Sequence, residues 1–409
     1  MDAGRPSTSA AWIVALAALA AVGAPIPRAR ADESAPPKRI AAPAGESIPA
    51  PAPGDAAAPV RTPTEVSHPG ETPAARRKYA RALFFDLRGR GPTPSEMEAA
   101  LKTEPADLVD RMLADPAVWE AWLDRELYYY LLIDRFRPVS DRVRALPGRL
   151  AFGACNVRDA TREIVVSTEF NQRNPGPDTF VTVVLEQLLG MVVQQKPKVL
   201  EAGKKLYDGK TERFLGQVGR NQSDVLRIVL EQKGFADHFV ARQYGQVFGT
   251  PIPKEFLAME GPRFQADPAA FPAMLREWVL SEPYRARTRI PRPKNDLVFI
   301  RTLFVDLLGR EPTFDEFRNS RNALLALSDP APVRAVIAGL ILDSDRSTVP
   351  AKDGLAQPGT WVRREFLDLL GREPTEREKD TFVATLGEYG CEPKTLVLAL
   401  ATSPEYQYY

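Results

Sequence analysis

The chain has 409 residues, 44% of them hydrophobic, with Lys plus Arg at 54 against Asp plus Glu at 53. That length and apolar share suit two or three domains with real cores. The formal charge of +1 supplies no field to gather nucleic acid or an anionic membrane surface, so no nucleic-acid partner is expected.

Arg5 opens a short polar start, Ala10 to Ala24 is an Ala-rich apolar run, and Ala29-Arg30-Ala31 is a small-x-small site before Asp32. This reads as a signal peptide over 1–31 and an exported protein of the periplasm or cell surface. The alternative is an uncleaved membrane anchor, for which the run is shorter than the ~20 residues a spanning helix needs. From Asp32 to Ala75 the composition turns to Pro and Ala, as in SIPAPAPGDAAAPVRTPTEV. Such a segment buries too little apolar surface to offset its ordering entropy and is expected to be a disordered tether.

A repeat begins at Arg81, where RALFFDLRGRGPTPSE is matched by RTLFVDLLGREPTFDE from Arg301 and RREFLDLLGREPTERE from Arg363. Each copy predicts a helix, a stop and a second helix start. Gly89, Gly309 and Gly371 stand where a helix takes a left-handed C′ residue, and the Pro that follows cannot continue the first helix. Thr93 with Glu96, Thr313 with Glu316 and Thr375 with Glu378 spell capping boxes. Asp86, Asp306 and Asp368 precede Arg90, Arg310 and Arg372 by four residues, a spacing that predicts an ion pair on one helical face. The competing reading makes each Arg a contact for an anionic partner.

After the first copy comes the densest aromatic stretch, WEAWLDRELYYYLLIDRF over 119–136. Trp119, Trp122, Tyr128 and Tyr129 form a candidate interaction surface, since Trp and Tyr serve as sugar platforms and protein hot spots. Trp119, Trp122, Glu126, Tyr129 and Tyr130 follow helical spacing, however, and core packing is the preferred reading of these rings. Cys155 and Cys391 are the two cysteines; a disulfide between them suits an oxidising compartment, and two separate thiols are the alternative.

Val181, Val184, Leu185, Leu188 and Leu189, stopped by Gly190, look like a degenerate fourth copy. Closing helices follow the units, with an apolar face and an ending such as REWVLSEPY from Arg276 or SPEY at 403–406. In repeat 2 the closing face is read as Val333, Val336, Ile337, Leu340 and Ile341. The fold class expected is all-α, with stacked three-helix units joined by Pro-rich loops and no strand-rich region. Pro- and Gly-rich breaks at 136–153, 287–294 and 348–359 separate them. An N-terminal helical domain spans 76–290 and a C-terminal one 296–409.

The Leu-Gly-Arg-x-Pro-Thr turn and the Ser-Pro-Glu-Tyr ending resemble the helical domain of phycobilisome linker polypeptides and its relatives in bacterial surface proteins. The stretch from Arg81 to Leu127 also resembles a helical domain of exported planctomycete-type proteins that accompany cytochrome c modules. Both resemblances imply a helical interaction module without a reaction of its own. This chain has no Cys-x-x-Cys-His, so covalent haem is not expected.

His68 and His238 are the only histidines, and neither lies beside a nucleophile elbow or in metal-ligand spacing. No catalytic, cofactor or metal residue is therefore assigned. The leading expectation is a non-enzymatic interaction or scaffold module with an unidentified envelope protein as partner. One alternative is an accessory partner of an exported cytochrome-linked redox or hydrolytic system. Another is a carbohydrate binder or carboxylate-dependent hydrolase using the aromatic helix 119–136.

Overall fold

The computed structural model describes residues 71–132, 139–387 and 391–409. The expected signal peptide and nearly all of the expected tether lie outside the described residues. The folded part starts slightly earlier than 76. Thr72 caps the helix Pro73–Leu83 by accepting the Ala75 amide at 3.2 Å, and Pro73 occupies the first helical position, where a missing N–H costs nothing.

The described chain is all-α apart from one hairpin, Glu212–Phe214 paired antiparallel with Gln217–Gly219. Leu215 and Gly216, at φ 48° and 88°, form a two-residue turn with both central angles positive, the geometry that matches strand twist. No described helix is long and apolar enough to cross a membrane.

The buried apolar side chains fall into two clusters. One runs from Tyr79 to Tyr284 and the other from Phe299 to Tyr406. Repeat 1 and the degenerate unit supply the first, and repeats 2 and 3 supply the second. In repeat 2 the helix Asp296–Leu308 buries Ile300, Leu303, Phe304 and Leu307, as its periodicity demands. The corresponding helices of repeats 1 and 3 widen into a π turn, at Phe84–Arg88 and Phe366–Leu370, before their glycines. The degenerate copy ends its helix Gly176–Leu189 at Gly190, φ 62°.

Two helical readings need correction. The closing helix Ala331–Leu342 buries Val333, Ile337, Ala338, Ile341 and Leu342 and leaves Val336 exposed. Its buried face keeps Val333, Ile337 and Ile341 but is rotated, taking in Ala338 and Leu342 in place of Val336 and Leu340. The break expected over 136–153 holds two short helices, Asp141–Arg144 and Leu146–Ala151. There Pro147 sits in a first helical turn, where it is tolerated.

Candidate functional site

The three repeat turns are built alike. Gly89, Gly309 and Gly371 adopt φ of 66°, 66° and 73°, angles that a side chain would strain. The chain reverses there, so the next Arg runs back along the new helix start. Arg90, Arg310 and Arg372 each grip the capping-box glutamate with two nitrogens at 2.8–2.9 Å: Glu96, Glu316 and Glu378. The same glutamates accept the amides of Thr93, Thr313 and Thr375 at 2.8, 2.8 and 2.7 Å. Burial would raise the Glu316 carboxyl, but the Arg310 guanidinium and the Thr313 donors outweigh it and hold it at about 2. Glu378 is likewise held at about 2, first by Arg372.

The expected ion pairs of Asp86 with Arg90, Asp306 with Arg310 and Asp368 with Arg372 therefore do not form. The glycine carries each Arg away from the helix on which its Asp lies, and the aspartates turn inward. Asp86 accepts Tyr284 Oη at 2.8 Å and is held bidentate by Arg292 at 2.7 and 2.9 Å. Asp306 accepts Tyr406 Oη at 2.7 Å. Asp368 pairs with Arg364 on its own helix at 3.5 Å.

Tyr284 and Tyr406 end the two Ser-x-x-Tyr closing phrases. In each, the serine hydroxyl accepts the tyrosine amide, Ser281 at 3.4 Å and Ser403 at 3.2 Å, and the ring is wholly buried. Each half of the described chain is thus tied from its first motif aspartate to its last closing tyrosine.

Motif residues also join the two clusters. Arg81 of repeat 1 donates to the Asp368 and Leu369 carbonyls of repeat 3, both at 2.7 Å, where a helix C-terminus favours a cation. Arg90 reaches Glu311 of repeat 2 at 2.9 Å, and the Gly91 amide donates to Thr302 Oγ1 at 3.0 Å. Arg292 and Tyr409 exchange backbone hydrogen bonds at 2.9 Å in each direction. The Tyr409 ring stacks on Phe85 at 4.2 Å. Inside this seam lies Lys294, whose Nζ donates to the Tyr406 carbonyl at 2.5 Å and sits 3.5 Å from the Tyr406 ring centroid. Burial and the Arg81 charge push the Lys294 amine well below its usual range. Burial pushes the Asp306 carboxyl up to about 6 against the pull of Arg81 and Lys294.

The aromatic helix Pro116–Leu131 does not present the expected surface. Trp119 and Trp122 are 1% and 2% exposed, and their indoles donate to the Leu113 carbonyl at 2.8 Å and to Gln243 at 3.2 Å. Too much apolar area rides on these rings for the fold to leave them in water. Tyr129 is partly buried and donates to the Gln187 carbonyl at 3.0 Å, with His238 Nε2 at 3.1 Å. Glu126, fully buried, is held bidentate by Arg242 at 2.6 Å, and Arg242 stacks 4.2 Å from the Tyr129 ring centroid. Of the four candidates only Tyr128 is exposed, at 48%.

Cys155 and Cys391 are free thiols, not a disulfide. Cys155 packs against the first apolar cluster, whereas Cys391 precedes the helix Pro393–Ala401 of the second. Among the described residues no group of His, Cys, Asp and Glu could hold a metal ion. A cavity of about 550 Å³ lies beside Lys78, Tyr79, Glu282 and Arg285.

Sequence reasoning missed Arg242, Arg292, Lys294, Tyr284 and Tyr406 as partners of the singled-out residues. The Ser-x-x-Tyr ending shared by both halves was the available signal for the tyrosines. A scan against protein-family models and searches of curated proteins and of solved structures found no match.

Proposed function

We propose that this chain is an exported, non-enzymatic helical-repeat protein that serves the cell envelope as an interaction or scaffold module. The observation that carries this reading is where the repeated polar residues go. Arg90, Arg310 and Arg372 are spent on capping boxes, and Asp86 and Asp306 on closing tyrosines. What repeats in this chain is a frame, so recognition falls to side chains outside the motif.

The contact face favoured is the last turn of the aromatic helix. Tyr128 and Leu132 are spaced four residues apart and are 48% and 52% exposed. Leu132 ends the helix at φ 51°, a left-handed angle that costs a residue with a Cβ about 1–2 kcal/mol.

A photocrosslinking side chain placed at Tyr128 in the full chain, expressed in its native envelope, tests the proposal. One adduct of defined mass that disappears with Leu132→Arg is expected. A chain that forms no adduct, yet shows saturable thermal stabilisation by a soluble sugar or small ligand, would overturn it.

A further inference from the structure

The cavity of about 550 Å³ lies between the opening turn of the helix Pro73–Leu83, with Thr72 and Ala75, and the closing phrase of the same half, with Arg285 and Arg289. Arg285 is 7% exposed. Its Cζ sits 4.3 Å from the Tyr79 ring centroid, and its Nη1 donates to Glu71 at 2.9 Å. Its buried Nε has no hydrogen-bond partner among the described residues. A ring contact engages the face of a guanidinium and leaves the donors along its edge, so most of this fork is unspent. Buried donors of a charged group are costly to leave unmatched.

The charges lining the cavity give its guest a sign. Lys78 and Arg289, both exposed, join Arg285 there, against the carboxylates of Glu71 and Glu282. Neither carboxylate is free, since Glu71 pairs with Arg285 and Glu282 is also engaged. The start of the helix Pro73–Leu83 adds positive potential. Ala74 and Ala75 supply an apolar wall beside these charges.

We propose that this cavity binds a small organic carboxylate, whose oxygens take the unspent donors of Arg285 while its hydrocarbon part rests against the alanines. A guanidinium fork matches a carboxylate in a way that an ammonium does not. Lys78 and Arg289 attract the anion without fixing its geometry. This site goes beyond the scaffold reading and shares no lining residue with the Tyr128–Leu132 turn, so either can fail alone.

The test is calorimetric titration of the full chain with benzoate, neutral benzamide and inorganic phosphate. Benzoate is expected to bind saturably, roughly tenfold or more tighter than the other two. Arg285→Lys keeps a charge beside Glu71 but loses the fork, and should weaken benzoate roughly tenfold or more. Ala75→Leu fills the cavity without removing a charge or a good helix former, and should abolish binding at an unchanged melting temperature. Arg289→Gln should weaken benzoate roughly two- to fivefold. No binding of benzoate, equal binding of benzamide or phosphate, or full benzoate affinity in either Arg285→Lys or Ala75→Leu would overturn the proposal.

Discussion

The hydroxyl of Tyr406 donates a 2.7 Å hydrogen bond to Asp306 across 100 residues of chain. The pair of Tyr284 and Asp86 repeats it across 198 residues at 2.8 Å. Two halves that share a motif also share their closure. In both, a buried carboxylate near a helix C-terminus, where the dipole opposes it, is compensated by a phenol delivered from the end of the same half.

Removing the phenol strands the acid. Tyr406→Phe is expected to cost about 1–3 kcal/mol, since it leaves a buried acceptor unmatched. Because both substitutions break one bond, Asp306→Asn combined with Tyr406→Phe should cost less than the two single changes added together. Urea midpoints of the three variants measure this directly.

The three turn arginines are chemically equivalent but differently placed. Arg90 is buried and bridges to Glu311, whereas Arg310 serves its own turn on a partly exposed surface. Arg90→Ala should cost about 2 kcal/mol or more, and Arg310→Ala under about 1 kcal/mol. Equal losses in thermal unfolding would contradict the assigned roles.

His238 adds a pH dependence of its own. Burial and the nearby Arg242 charge hold its imidazole below the ordinary value, so the folded state favours the neutral ring. Stability from this group is full above the unfolded value near 6.5 and is lost as pH falls below it. Replacing His238 by Gln should therefore flatten the acid limb of the stability profile below about pH 6.5, as followed by urea titration at several pH values.

Leu132 offers a gain rather than a loss. Leu132→Gly relieves a left-handed angle of 51° on an exposed side chain and should raise stability by about 0.5–1 kcal/mol. If this turn is a contact face, the same change weakens partner capture while the melting temperature rises. That split separates recognition from folding.

The free thiols make a simple check. Reductant should leave the melting temperature unchanged, and an unfolded sample prepared without reductant should titrate for both Cys155 and Cys391. A missing thiol pair would restore the disulfide expected from the compartment.

The motif, read in one dimension, was enough for the all-α class, the glycine stops and the Thr-x-x-Glu caps. These depend on residues within one or two helical turns, and the backbone physics of φ and of orphan amides is local. Partner choice was not legible in the same way. Asp86 and Arg90 stand at a spacing that pairs well on an uninterrupted helix, but Gly89 ends the helix between them. Trp119 and Trp122 carry the same spacing whether a helix faces water or a core, and only their distant partners, Phe271 at the Trp119 ring and Gln243 at the Trp122 indole, decided the matter. Thus local sequence determined where helices begin and end. Tertiary structure decided which charges meet, because ion pairs and buried hydrogen bonds depend on distances that close only when segments 100 to 288 residues apart are brought together by the burial of apolar area.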